Sequence, residues 1–307
     1  MIRNFLFHRV NSQRETLWDP MDVTLFEKCI AYISSRYEVV LLEDLVKSQD
    51  LFASKGRYAT LSFDDGYKDN IAYAAPILEK YHCKASFYVV TDSIENNTLT
   101  WGHLFNYLLE NTSLTTVTLP FDFLPVSLRS GNLTNQPDRL AFIRKLSVYL
   151  KTISHENRRM VMEKVTSLIT DVKMPELMMS WDDLRELKAA GHQVGSHSVS
   201  HPILGSMSNV DDIRDELSRS AKMLEQNLGY FPSIIAYPMG SYNATVKELS
   251  KEIGYQAGLT VNQDTYNPFS QDLFEIKRIE LYNEPWWKTR LRITNTMERI
   301  KKLIRYK

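Results

Sequence analysis

The sequence predicts an α/β fold in which parallel strands, joined through helices, form a sheet or close into a barrel. Three observations point there. Short apolar β-type runs alternate with helical patterns along most of the chain. Connections of that kind imply parallel pairing with right-handed crossovers. The chemically distinctive residues Asp64, Asp65, His197 and Pro238 all fall just after predicted strands, where barrel enzymes place their chemistry.

Taken in order, residues 2–10 read as a strand, 24–36 as a helix and 38–42 as a second, short strand. A third run, 57–63, leads into Asp64-Asp65-Gly66. A helical stretch follows to residue 80, with Pro76 either in its first turn or at a kink. Residues 85–90 are again β-rich. In the second half Ser180 and Asp183 form a capping-box pattern, Leu184 and Leu187 supply an apolar face, and Gly191 ends the helix. Residues 193–196 read as a strand that feeds His197-Ser198-Val199-Ser200-His201. Asn209 with Asp212 opens a longer helix, whose Ile213, Leu217, Leu224 and Leu228 keep helical spacing up to Gly229. Asn243 opens another, with Val246, Leu249 and Ile253 inward and Gly254 beyond. Runs 233–237, 256–261 and 275–281 complete the strands. Residues 100–177 break the rhythm. Helical patterns at 101–110, 138–151 and 156–169 flank a Ser/Thr/Asn/Pro-rich middle with little strand. The segment reads as a peripheral helical insertion or as a cap beside the site.

Composition narrows the class. A chain of 307 residues forms one large α/β domain or two small ones. Its 43% hydrophobic and 24% charged content is the balance of a globular protein with a substantial core. Lys plus Arg equals Asp plus Glu, so net charge offers no argument for a nucleic-acid partner. Cys29 and Cys83 lack metal-ligand spacing and read as reduced core residues. No signal-peptide pattern and no long apolar span is visible, so a cytoplasmic location is expected. The segment 286–307 carries eight basic residues against Glu298 alone. It reads as a basic amphipathic helix that either contacts an anionic membrane or docks on the barrel.

The acidic pair and the two histidines lie more than a hundred residues apart. Asp-Asp-Gly alone is commonly a turn. Two histidines four apart lack the Glu of the helical zinc-protease motif and are alone compatible with surface positions. Each pair directly follows an apolar strand, and together they read as one site assembled by folding. One carboxylate with two histidines is a common ligand set for a divalent transition metal with open positions.

These stretches resemble the polysaccharide deacetylase family, the metal-dependent carbohydrate esterases with a NodB-type homology domain. The resemblance rests on Ser62-Phe63-Asp64-Asp65-Gly66 and Ala85-Ser86-Phe87-Tyr88-Val89-Val90. It continues in Gly191-His192-Gln193-Val194-Gly195-Ser196 with the histidine segment, and in Tyr237-Pro238-Met239-Gly240. It covers about 1–283 apart from most of 100–177. It implies a distorted (β/α) barrel short of eight units over 1–285, carrying the helical insertion. The implied reaction is hydrolysis of an acetyl group from an N-acetylated sugar of a glycan or glycan precursor. Asp65, His197 and His201 would hold the divalent metal, with zinc expected, and Asp64 would be the general base. That division has a physical reason: a carboxylate bound to a dication is too stabilised as an anion to accept a proton easily. The Met239 N–H, in a turn set by Pro238 and Gly240, would donate to the oxyanion. Ser198 is expected to bond locally and shape the histidine loop.

Two departures matter. The Arg that opens the family's third motif is missing from Ile235-Ala236-Tyr237-Pro238, and Arg278 is the candidate to orient Asp64 instead. The Leu-x-His of the last motif is replaced by Ile279-Glu280-Leu281-Tyr282. His8, at the end of the first strand, is the candidate general acid if closure makes the first and last strands neighbours. His192 reads as a loop or strand-edge residue, while His82, His103 and His155 fit no pattern. The competing functions are the same chemistry on an O-acetyl ester or a non-sugar amide, and a catalytically silent glycan-binding barrel.

Overall fold

The computed structural model describes residues 1–48 and 56–298, so the last part of the basic tail lies outside the described residues. The strands are β1 Arg3–Phe7, β2 Glu38–Val39, β3 Tyr58–Asp65, β4 Ser86–Val89, β5 Thr116–Thr118, β6 Ser130–Asn132, β7 Gln193–Ser196, β8 Ile234–Ala236, β9 Ala257–Gln263 and β10 Ile276–Glu280. Seven of them run parallel in the order β1-β10-β9-β8-β7-β4-β3, and β3 pairs back onto β1 to close a barrel. The short β2 hangs on the first residues of β3. Phe5 therefore faces Ile279 on one side and Leu61 on the other, which makes the first and last strands neighbours.

Alternation of side chains along a strand explains how the barrel is filled. Phe5, Phe7, Leu61, Phe63, Phe87 and Val89 point outward into a core shared with Phe26, Ile30 and Ile33 of the helix Val23–Ser34. Phe63 stacks on Phe87 with centroids 4.8 Å apart. Of the intervening residues, which point inward, Asn4, Thr60, Ser62 and Asp64 are polar and Leu6 is apolar. Thr60 donates to Asn4 at 2.8 Å, and Ser62 donates to the Phe5 carbonyl at 2.9 Å. Gly195 is required here, since a Cβ would sit 2.5 Å from the Tyr88 ring. At the barrel end away from Asp64, the helix Leu42–Lys47 sends buried Glu43 to Ser86 at 2.7 Å and Tyr88 at 3.3 Å. Burial pushes that carboxyl up.

Pro76 sits in the first turn of the helix Ala75–Lys80, directly after a π-helical turn Asn70–Ala74. Residues 100–177 contain the helices Trp101–Asn111, Gln136–Leu150 and His155–Leu168 around a core of their own. Strand is sparse there, as expected: among the described residues it amounts to the antiparallel pairing of the three-residue β5 and β6. The Arg139 guanidinium donates to carbonyls of Leu109, Glu110, Thr112, Leu114 and Leu133, satisfying the end of the first of these helices. His103, which no sequence pattern explained, ties the insertion to the barrel. Its Nδ1 lies 2.9 Å from the buried Tyr67 hydroxyl, and Trp18 stacks on its ring.

The helix Trp286–Ile293 docks on the barrel through Trp286, which meets Tyr32 edge-on at 5.5 Å. The single helix expected over 286–307 is interrupted, because the chain turns at Thr294 and Asn295, the latter with φ 59°. Trp287 stays 65% exposed. Among the described residues no helix is long and apolar enough to cross a membrane.

Candidate metal centre and active site

Strand register brings the two halves of the site together. Asp65 pairs with Val89, and Val89 with Ser196, so His197 emerges beside Asp65. The chain then bends sharply. Asp65, Ser198, His201 and Met239 all have positive φ, four of the seven non-glycine residues that do so among those described. Each costs on the order of 1–3 kcal/mol and persists only where its surroundings hold it. Here they do. Ser198 Oγ accepts the His201 N–H at 3.1 Å, which is the local bond expected of it. The Glu216 carboxylate, from the helix Val210–Leu228, accepts the N–H groups of Val199 and Ser200, each at 2.9 Å.

Asp65, His197 and His201 are buried, and each offers a ligand atom within 4.8 Å of the others. The Nε2 atoms of His197 and His201 lie 3.5 and 3.4 Å from the same Asp65 oxygen. His197 Nδ1 is 2.8 Å from the Ala236 carbonyl. A carbonyl only accepts, so Nδ1 carries the proton and Nε2 presents its lone pair to the cluster. Burial lowers the His201 imidazole to about 4, keeping it neutral. Burial also opposes charge on His197, but the Asp64 and Asp65 carboxylates outweigh it and hold that imidazole above its ordinary value. Both Asp65 oxygens are buried without a hydrogen-bond partner. A carboxylate left so would be costly; the donor set therefore fits a divalent cation.

Asp64 faces elsewhere. Arg278 from β10 grips it with both ends of its fork, Nη1 to Oδ1 at 2.8 Å and Nη2 to Oδ2 at 2.7 Å. The same guanidinium donates from Nε to the Thr260 carbonyl at 2.9 Å and from Nη1 to Ser62 Oγ at 3.3 Å. An irregularity in β9 between Leu259 and Gln263, opposite Ile276 and Arg278, interrupts the strand pairing where Thr260 receives that bond. Burial alone would raise the Asp64 carboxyl, but Arg278, together with His197 and His8, outweighs it and holds the group below the ordinary carboxylate value. Two sequence neighbours thus have separate partners, histidines for Asp65 and an arginine for Asp64.

The other sequence candidates lie around this centre. His8 follows β1, and its charge acts on both Asp64 and Asp65. With Trp18, Asp19, Glu280 and Tyr282 it lines a cavity of about 380 Å³. Pro238, Met239 and Gly240 form a short turn two residues beyond the carbonyl that holds His197. Gly240 has φ 65°, and a Cβ there would meet Val261 Cγ2 at 2.5 Å. His192 lies in the loop just before β7 and is buried there; its Nδ1 accepts the Ala85 N–H at 3.1 Å. Sequence reasoning missed Glu216 and the buried Arg9, whose Nε donates to Asp69 at 2.8 Å and whose guanidinium lies over the Tyr67 ring. No local pattern marks these residues.

The family model described as polysaccharide deacetylase matches residues 53–258. Peptidoglycan-N-acetylglucosamine deacetylase PgdA of Listeria monocytogenes serotype 1/2a (strain 10403S) is 39% identical over 70 residues, 23% of this chain and 14% of that protein. This chain therefore matches only about a seventh of that relative's length. The Streptococcus pyogenes deacetylase PplD, solved in complex with acetate, has a TM-score of 0.62 at 18% identity, covering 95% of this chain and 97% of that one. A de-N-acetylase from Aggregatibacter actinomycetemcomitans has a TM-score of 0.61 at 16% identity, covering 95% and 99%. At such identities these likenesses establish the shared fold, the distorted (β/α) barrel. Because the family match spans most of its length, the chain belongs to the polysaccharide deacetylase family.

Proposed function

We propose that the protein is a metal-dependent hydrolase that removes the acetyl group from an N-acetylated sugar of a glycan or glycan precursor. The observation that carries this reading is the split between adjacent buried carboxylates, one turned to two histidines and one clamped by an arginine. A binding-only barrel has no use for the second. The acetate bound to PplD and the N-acetylglucosamine in the name of PgdA support the acetyl and amino-sugar parts.

Asp65, His197 and His201 would hold the divalent cation, with zinc expected from this nitrogen-rich donor set. When bound, such a cation supplies Lewis-acid polarisation of the acyl oxygen and a more acidic water. Asp64 takes the proton of the attacking water, and Arg278 fixes its orientation. As the water oxygen adds to the acyl carbon, the Met239 N–H donates to the oxygen that gains charge. His8 gives its proton to the nitrogen as the C–N bond breaks, so acetate and a free amine leave.

Two measurements test this directly. Stripping metal with dipicolinate is expected to reduce acetate release from N-acetylglucosamine oligomers to background, and added Zn²⁺ to restore it. Full release by metal-free protein would overturn the reading. Replacing His8 by Gln is expected to lower release from these amides about a hundredfold or more, with metal content unchanged by elemental analysis. Normal turnover in that variant discards His8 as the acid.

A further inference from the structure

We infer that Glu280 and Tyr282 are positioning residues that hold the His8 imidazole for proton delivery, as a Tyr–Glu–His line along the cavity wall. The inference rests on His8 being the general acid. Strand pairing sets the placement. Leu6 of β1 faces Glu280 of β10, and the Leu281 N–H donates to the Leu6 carbonyl at 3.0 Å. His8 Nδ1 then lies 3.5 Å from Glu280 Oε1, while the other Glu280 oxygen accepts the Tyr282 hydroxyl. The His8 backbone is fixed separately, because its carbonyl accepts from Asn70 Nδ2 at 2.7 Å. Trp18 meets the imidazole edge-on, and Arg292 lies over the Tyr282 ring at 4.6 Å.

The other charged groups around His8 have partners of their own. Asp64 is held by Arg278, and Asp65 faces His197 and His201. Asp19, on the loop lining the same cavity, takes Arg14 and Asn283, while Arg9 takes Asp69. Glu280 is the carboxylate at ion-pair distance from the imidazole. A carboxylate on Nδ1 fixes the ring and leaves Nε2 to donate. Such contacts are often long before substrate binds and tighten in the reacting complex. The strand that lacks the expected histidine thus supplies the groups that serve a histidine on the next strand.

The test uses full-length, metal-replete protein with an N-acetylglucosamine pentamer and 4-nitrophenyl acetate, whose phenolate leaves without needing a proton. For Glu280→Gln, kcat on the pentamer is expected to fall about 10–100-fold, with KM little changed. The loss on the pentamer should exceed the loss on the ester by about tenfold. Tyr282→Phe should shift kcat the same way by a few-fold, and adding Glu280→Gln to His8→Gln should cost nothing further. Unchanged kcat on the pentamer in Glu280→Gln, beside an inactive His8→Gln, would overturn the positioning role. Equal loss on both substrates with a lowered unfolding midpoint would also overturn it, since that marks a structural role. Full activity in His8→Gln would instead overturn the underlying assignment.

Discussion

Asp64→Asn is expected to lower acetate release by about a hundred- to ten-thousand-fold, while the bound metal stays. The substitution keeps the shape of the side chain and removes its capacity to take a proton. Asp65, His197 and His201 are untouched, so metal content measured on purified protein should equal that of the parent. A second effect follows from the surroundings. Arg278 has no exposed surface, and the Asp64 carboxylate is its charge partner. Left opposite a neutral amide, the guanidinium becomes a buried charge without compensation, at a stability cost of about 3–5 kcal/mol. Reduced turnover, an unchanged metal stoichiometry and a lower unfolding midpoint should therefore appear together. Turnover that survives the change would mean that another group takes the proton.

Arg278→Met probes the same pair from its other side. Removing the fork is expected to destabilise the protein by about 3–5 kcal/mol, measured as a drop in the urea midpoint. It also reverses a sign. In the parent the folded-state value of Asp64 lies below the ordinary one. The stabilisation from that carboxylate is therefore complete above the ordinary carboxylate range and is lost as pH falls through the lower, folded-state value. In the variant, burial is opposed by His197 and His8 without the guanidinium, and the group is expected to rise. The acid limb of kcat/KM should then move toward neutral pH, because the base protonates sooner. Arg278→Lys restores a charge but not two parallel hydrogen bonds, so it should recover part of the stability and less of the rate. A stability change under about 1 kcal/mol, the range of an exposed pair, would show that the pair does not hold the base.

The parts of the site that were legible in the sequence share one property: each motif sits at the end of a strand whose apolar run announces it. Asp64, Asp65, His197 and His201 are of this kind. The parallel α/β architecture was legible for the same reason, since alternating runs and capped helices have only a few ways to pack; its closure into a barrel was implied by the family resemblance. Arg278 was half legible. Its candidacy came from a gap elsewhere, and only the closed barrel brings it across 214 positions of chain to Asp64. Glu280 and His103 carried no signal, because their partners are fixed by strand register and by how the insertion docks. Pattern reasoning also expected one continuous helix over 286–307, where the chain turns after Ile293. Amphipathic spacing does not register a single residue of left-handed backbone such as Asn295.

Closure of the first strand between the third and the last has a consequence for biosynthesis. On the ribosome, β1, the acidic pair and the histidine segment all emerge well before the strand bearing Arg278 and Glu280. Until that strand is made, the sheet keeps open edges and Asp64 lacks the Arg278 guanidinium, which is the costly arrangement that folding must postpone. Competence then arrives in one late event, as the final stave slots in. A nascent chain halted before it would be bound for chaperones and proteases rather than for catalysis.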